Sequence, residues 1–366
     1  MKAKTKDLKA IVAKVQRGIG NNPLMPLSSL VSIGYDGAKT LTLKTFDGYN
    51  YVVSHDEIAE EGGEAFTACV NANTFVALVN KTTSEAITLE LSQKYVAFKG
   101  NGNYKLDVVT DNGQLLEFPP LEDFAGIEGD KVKVATLMHS INVNEPSAAK
   151  TAEVPMFLGC YFGKSVYTTN GQIACVVNDE LVDGKNALFM YNTMKLLPSL
   201  ADQEALLKVK EGNGERLFEL SDSGVTISGK LISDEGKYPV EALNKMVGCQ
   251  MSSAKVKVAE LLDVLDRMNI FTDQYQTNAI RLMFENDALT ITNYASGGTY
   301  NAEETIDAPC EAEADKYECF VDLSQLQADL RVCASPEVTL GFGSASYLRV
   351  AEGKTTFVLG LLDPKK

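Results

Sequence analysis

Histidine and cysteine are the side chains most often used for acid–base, nucleophilic and metal chemistry near neutral pH. This chain of 366 residues holds two histidines, His55 and His139, and neither stands in a catalytic motif. Its seven cysteines (Cys69, Cys160, Cys175, Cys249, Cys310, Cys319 and Cys333) are scattered, odd in number and form no Cys-x-x-Cys pair. Zinc or thioredoxin-type chemistry therefore has little support, and the expectation is buried free thiols in a reducing cytoplasm. Gly100-Asn101-Gly102 and Gly341-Phe342-Gly343 lack the third glycine of a dinucleotide cradle and read as hairpin turns. Neither a Walker sequence nor a Gly-x-Ser-x-Gly elbow occurs, and acidic pairs such as Glu303-Glu304 read as surface. The expectation is a chain that does no catalysis and needs no cofactor or metal.

The chemistry that remains is electrostatic. The net charge is −15, from 34 Lys and Arg against 49 Asp and Glu. Taken alone that argues against a nucleic-acid surface, but net charge says nothing about distribution. Lysine pairs recur in KVKVA at 131–135 and again at 255–259. The N-terminal stretch MKAKTKDLKAIVAKVQRGI is also basic; Lys14 and Arg17 interrupt its apolar residues, so it reads as an amphipathic helix and not as a signal peptide. No stretch is long and apolar enough to span a membrane.

The elements that carry these cations repeat. Behind the second and third basic segments, Val134, Leu137, Met138 and Ile141 match Val258, Leu261, Leu262 and Leu265 at an offset of 124. Leu8, Ile11, Val12 and Val15 have the same i, i+3, i+4, i+7 spacing, the mark of one buried helix face. A second helix follows in each unit: Phe75 and Val79 fall on Leu326 and Leu330 at an offset of 251. In the middle copy Met194 stands opposite Phe75, and Pro198 should end that helix early. Alternating strand-like runs come next, at 87–91, 206–210 and 338–342. Strand-turn-strand patterns lie between the two helices, clearest at 36–48 and 285–297. Each unit closes near a proline, in FPPLED, YPVEAL and LLDPKK. The expectation is an α+β chain of three tandem domains, 1–125, 126–250 and 251–366, each a doubled helix-plus-strands unit. Such units need neighbours to cover sheet edges, and a closed assembly with a second copy would supply them.

An ordered set of segments resembles the bacterial DNA polymerase III beta subunit, the sliding clamp, over essentially the full chain. NNPLMPLSSLVSI (21–33) is similar to that family's first loop and strand, and VNANTFVALVNKTTSEAITLEL (70–91) to its second helix and strand. MFLGCYF (156–162) with YTTNGQIA (167–174) resembles the Thr-Asp-Gly segment of its second domain. GKLISDEGKYPVEALNKMV (229–247) resembles the close of that domain, and TTFVLGLL (355–362) the C-terminal strand and tail. The resemblance implies three clamp domains closing a ring as a head-to-tail homodimer. Twelve helices would line a hole that holds duplex DNA without regard to sequence. It implies a processivity factor that tethers the replicative DNA polymerase, is opened by a clamp loader, and catalyses nothing.

A sliding tether needs sparse, sequence-blind attraction to phosphates. The resemblance places Lys6, Lys9, Lys14, Arg17, Lys81, Lys131, Lys133, Lys195, Lys255, Lys257, Arg267 and Arg331 on lining helices, with Asp263 and Asp266 weakening the third unit. Asn22 stands where the family commonly has a basic contact, and Met156 and Phe157 where aromatic contacts are usual. Partners would insert apolar peptide anchors into a groove of Leu158, Thr169, Gly171, Ile173, Pro239, Leu243, Val358, Leu359 and Leu362. Gln172-Ile173 replaces the family's His-Arg-Leu, and Gly360-Leu361-Leu362 its Met-Pro-Met tail, so the preferred peptide is expected to differ. Ring closure would set Tyr104 and Leu106 against Ile270 and Phe271. The alternative is a repeat-built protein-binding scaffold that never encircles DNA.

Overall fold

The computed structural model describes residues 1–151, 153–179, 186–212, 214–233, 237–271, 278–294, 301–311, 316–344 and 346–363. Helices form where the apolar stripes recur: α1 Thr5–Val15, α2 Ala72–Lys81, α3 Val134–Asn144, α4 Tyr191–Met194, α5 Val240–Gly248, α6 Val258–Met268 and α7 Leu323–Arg331. Leu8, Ile11, Val12 and Val15 are all buried. In α6 the stripe buries Val258, Leu261 and Leu265 and adds Val264 and Met268, while Leu262 is only half-buried. In α3 Met138 is likewise half-buried.

The second helices share their start as well as their stripe. The side chain of Asn71 accepts the Thr74 N–H at 2.9 Å, and that of Asp322 accepts the Gln325 N–H at 2.8 Å. Each satisfies a backbone donor that the first helical turn leaves orphaned. The equivalent α4 stops at Met194, and a 3-10 turn Leu197–Ser199 follows. Pro198 lacks an N–H, and its ring would collide with the carbonyl four residues back, which is that of Met194.

The strands form antiparallel ladders, and the chain divides into two compact units. Unit 1 comprises 1–138 with 189–233, and unit 2 comprises 139–188 with 234–366. In unit 1 an eight-stranded sheet runs from Asp130–Lys133 through Glu204–Gly212, Glu215–Ser221, Val225–Lys230, Asn50–Glu57, Thr40–Phe46 and Leu30–Tyr35 to Phe66–Asn71. A five-stranded sheet ends on Asn103–Asp107. In unit 2 a nine-stranded sheet pairs Ile173–Val177 with Thr355–Gly360, and a four-stranded sheet ends on Glu303–Asp307. Strict alternation along Thr40–Phe46 turns Leu41, Leu43 and Thr45 inward.

Three expectations need correction. The KVK of each KVKVA is the end of a strand, Asp130–Lys133 and Ser252–Lys257, and the helix begins only at the next valine. Alternation then buries Val132 and Val256 and exposes both lysine pairs, so those lysines are strand residues, not helix residues. α5, after Pro239, is an additional helix in a stretch expected to close a domain and to lend Pro239 and Leu243 to the groove; it packs on Ile173–Val177 and Thr355–Gly360. Cys249 is exposed, and Cys310 and Cys333 are half-buried, because they lie outside the sheet interiors that hide Cys69, Cys160, Cys175 and Cys319.

One buried group sets a pH dependence. Asp329 of α7 is 1% exposed and accepts a hydrogen bond from Gln325 Nε2 at 2.8 Å. Burial pushes its carboxyl up to about 8, with the Gln325 bond opposing the shift. The folded chain therefore keeps a proton that the unfolded chain loses near the ordinary carboxylate value of 3.8. The stability from this group is complete below that value and is lost as pH rises through about 8. The slope is about 1.4 kcal/mol per pH unit between the two. Asp329→Asn removes the slope, so the variant should surpass the parent at the alkaline end of a series of urea unfolding curves and lose that lead at the acid end.

Candidate functional site

The cations expected to face DNA divide into two populations. On α1 and α2, which pack side by side, Lys6 and Lys81 are exposed, as is Arg17 in the 3-10 turn Gln16–Gly18. None of these three has an ion-pair partner among the described residues. Lys9 donates to the Thr82 carbonyl at 2.8 Å, and Lys14 is held 3.0 Å from Asp56. On α6 and α7, Arg267 binds Glu304 through two bonds of 2.8 and 2.6 Å, and Arg331 reaches Asp266 at 3.2 Å. Arg267 is thereby held further above its usual range and Glu304 below its own, the shared hydrogen bond being the larger cause for both. With Asp263 also exposed, the α6–α7 face carries no surplus of positive charge.

The strand lysines divide similarly. Lys131 lies 3.6 Å from Glu204 and Lys257 3.9 Å from Glu260, whereas Lys133 and Lys255 are exposed without such partners among the described residues. Lys195 sits over the Tyr191 ring at 5.7 Å. Asn22 closes its own loop: its Oδ1 accepts the Leu24 N–H at 3.0 Å and its N–H donates to Ser28 Oγ at 3.2 Å. Its side-chain oxygen is committed to the geometry of the loop.

Within unit 2 the groove is built on a tight turn. Asn170 Oδ1 accepts the N–H groups of Gln172 and Ile173, both at 2.9 Å, and Gly171 has φ +92°. Thr169 Oγ1 donates to the Ile173 carbonyl at 2.6 Å and accepts the Gly171 N–H at 3.1 Å. α5 is fixed beside the turn. Tyr167 donates to Asn244 Oδ1 at 3.0 Å, Tyr238 donates to the Tyr167 carbonyl at 3.2 Å, and Tyr238 stacks on Tyr161 at 5.0 Å. The tail is tied down by Leu361 N–H to Ser346 O at 2.9 Å and Leu362 N–H to Phe320 O at 2.8 Å.

These parts enclose a cavity of about 710 Å³. Thr169, Gly171, Ile173, Pro239, Leu243, Val358 and Leu362 line it, as expected from the sequence. Leu158 and Leu359 are not in the lining. Leu359 pairs with Ile173 and alternates to the opposite face from Val358, where it is 1% exposed. Phe157, expected on DNA, lines the groove instead of its neighbour Leu158; a Cβ on Gly171 would stand 3.6 Å from its ring. Met156 is half-buried in the same 3-10 turn, Pro155–Leu158. Ala242 and Met246 escaped the sequence reading, although their spacing from Pro239 and Leu243 is that of one helix face. Asp322, Ser324 and Gln325, at the start of α7, carried no local signal at all.

Of the expected closure residues, Tyr104, Ile270 and Phe271 are exposed large apolar side chains, with Ile270 76% exposed. Leu106 is buried in its own unit: it shares a face of the edge strand with Tyr104, but it is covered opposite Val96, whereas Tyr104 stands edge-on to Phe98 and stays 42% exposed. No helix among the described residues is long and apolar enough to cross a membrane.

No protein-family model matches the sequence, and no curated protein matches it either. Solved structures do. The DNA polymerase III subunit beta of Pseudomonas aeruginosa aligns over 99% of both chains with a TM-score of 0.84 at 16% identity. The DNA polymerase sliding clamp of Bacillus subtilis aligns over 99% of this chain and 98% of its own, with a TM-score of 0.84 at 14% identity. The beta subunit of Thermotoga maritima reaches a TM-score of 0.84 over 99% of both chains at 12% identity. The architecture is an α+β threefold repeat of helix pairs on antiparallel sheets. More particularly, it is the fold of the bacterial DNA polymerase III beta subunits.

Gly171 holds a backbone conformation that side chains rarely adopt. Gly171→Ala should cost about 1–2 kcal/mol in denaturant unfolding, with Gly171→Asn costing less, since asparagine tolerates positive φ better.

Proposed function

We propose that this protein is a DNA sliding clamp: a non-catalytic processivity factor that encircles duplex DNA and tethers the replicative polymerase and other DNA-processing proteins. The observation that carries the reading is the whole-chain correspondence with sliding clamps. Three domains at 1–125, 126–250 and 251–366 fit the threefold recurrence of strand, helix and hairpin. A cytoplasmic protein that works with a clamp loader fits the same reading.

The repeat itself argues for a head-to-tail ring. Twice within the chain, the last strand of one half-unit pairs with the last strand of another. Val225–Lys230 lies on Asn50–Glu57, and Thr355–Gly360 lies on Ile173–Val177. The same rule, carried one step further, calls for Asn103–Asp107 against Glu303–Asp307. Both are the outer strands of their sheets, so a second copy is needed to complete the pattern. Tyr104 would lie on that seam, with Ile270 and Phe271 as the apolar contribution of the other copy.

The charge pattern limits DNA contact to weak, sequence-blind attraction, strongest at Lys6, Arg17 and Lys81. The groove of unit 2 is the docking site for partner peptides, through leucine- and phenylalanine-type anchors.

Loaded clamp should remain on nicked circular DNA and be lost from linear DNA, because only a topological link falls off free ends. Equal loss from both would leave the scaffold reading, which the acid-paired α6–α7 face favours. In solution the chain should have the mass of a dimer. Tyr104→Asp combined with Ile270→Asp should shift it to monomer while leaving its circular dichroism unchanged.

A further inference from the structure

Unit 1 contains a second apolar pocket, of about 670 Å³, assembled from the same parts as the groove of unit 2. Its turn is Asp47-Gly48-Tyr49. Asp47 Oδ1 accepts the N–H groups of Tyr49 and Asn50 at 2.8 and 2.7 Å, as Asn170 does for Gln172 and Ile173, and Gly48 has φ +105° where Gly171 has +92°. Gly229 pairs with Asn50 as Leu359 pairs with Ile173. The residues that follow these strands line the two cavities in the same way, Leu231-Ile232 here and Leu361-Leu362 there. Pro120 and Phe124 precede Pro239 and Leu243 by 119 positions each and occupy the facing wall.

The floor is richer in aromatic side chains than the groove, whose aromatic lining is Phe157 and Tyr347. Phe46 and Tyr51 stack at 4.6 Å, and Phe124 carries Lys210 over its ring at 4.7 Å. Beside the pocket, Leu24 is 89% exposed, and Met25 and Tyr49 are also exposed. Met25 lies against the lining turn: a Cβ on Gly48 would stand 3.6 Å from its Sδ. Large apolar side chains gathered beside an apolar cavity mark an interaction surface more than a solvated one. The charges around it are carboxylates at Asp47, Glu122, Asp123 and Glu215 against ammonium groups at Lys210 and Lys230. Lys210 holds Glu122 at 3.0 Å and Lys230 holds Glu215 at 2.7 Å, which leaves a carboxylate surplus at Asp47 and Asp123.

We propose that this pocket is a second docking site, and that its occupant is a linear peptide with two apolar anchors, one of them aromatic, next to a lysine or arginine. The cavity has room for two such side chains. Its stacked rings favour an aromatic anchor, and the carboxylate surplus favours a cation and disfavours phosphate. The site stands on the pocket's own geometry and would exist whether or not the chain encircles DNA.

The test uses the full chain and two dye-labelled capped peptides, Gly-Lys-Leu-Gly-Phe-Gly and the same peptide with glutamate in place of lysine, followed by fluorescence anisotropy. The lysine peptide should bind more tightly than the glutamate peptide, and Ile232→Glu should weaken it about tenfold, about 1.4 kcal/mol. Leu362→Glu, in unit 2, should leave that component intact. Glu122→Lys breaks the pair with Lys210, which at an exposed glutamate adds little to stability, so it keeps the fold and should reverse the order of the two peptides. The proposal is overturned if neither peptide binds at about 1 mM, or if Ile232→Glu and Glu122→Lys leave lysine-peptide binding unchanged. It is also overturned if Leu362→Glu alone abolishes binding, since the peptide would then occupy only the groove of unit 2.

Discussion

The pairing of Val225–Lys230 with Asn50–Glu57 is the constraint on which unit 1 depends. Neither half of the eight-stranded sheet is closed without it. The strands from 30–71 would expose the edge of Asn50–Glu57, and those from 204–230 the edge of Val225–Lys230. An unpaired edge in water is a template for aggregation, so the ladder removes a liability as well as adding bonds. It also brings together residues remote in sequence. Ser54 Oγ donates to the Gly224 carbonyl at 2.8 Å, and Thr193 Oγ1 donates to Asn50 Oδ1 at 3.0 Å. Unit 2 applies the same device where Ile173–Val177 meets Thr355–Gly360. Both apolar cavities open beside these joints, because a joint sets a turn from one strand hairpin next to the residues that leave the other.

The distribution of charge follows from a different pressure. In the reading proposed, a chain of net charge −15 that binds a polyanion must keep some cations free of its own carboxylates. α1 and α2 do so, since the only acid on α1 is Asp7, at the opposite end from Arg17. On α6 the acids Glu260, Asp263 and Asp266 surround Arg267, and Asp266 reaches Arg331 on α7. Exposed pairs of this sort add little to stability, about 0–1 kcal/mol each, but they remove two cations from the pool available to phosphates. Attraction to DNA, in the reading proposed, is therefore uneven around the hole.

Much of the fold was legible because its signals are periodic. The three stripes at Leu8, Val134 and Val258 place α1, α3 and α6, and Pro198 shortens α4 through the carbonyl of Met194. The lysines of KVKVA were misplaced because a strand running straight into a helix leaves no break in the sequence. In KVKVA, positions read as a first helical turn also fit the alternation of a strand. Groove residues contributed by Gly171, Ile173 and Pro239 were legible from their resemblance to known segments. Phe157, expected on DNA, lines the groove, because sequence does not say which way a half-buried ring turns. Asp322, Ser324 and Gln325 enter the groove from a helix more than 75 residues along the chain from Leu243, and no local pattern encodes such a meeting.

The two cavities argue for how a repeated fold gains function. Their backbones are set by the same small group of constraints: a glycine at positive φ, an Asp or Asn that accepts two N–H groups behind it, and a proline on the facing wall. None of these contacts a bound peptide by necessity; each shapes the chain. The side chains that would contact one have diverged, with Leu243 and Val358 in unit 2 standing where Phe124 and Ser228 stand in unit 1. Backbone geometry is costly to change, since a lost turn glycine or cap destabilises the whole unit. An apolar wall residue exchanged for another of similar size costs far less. In the reading proposed, the duplicated units keep their cavities and vary what the cavities select.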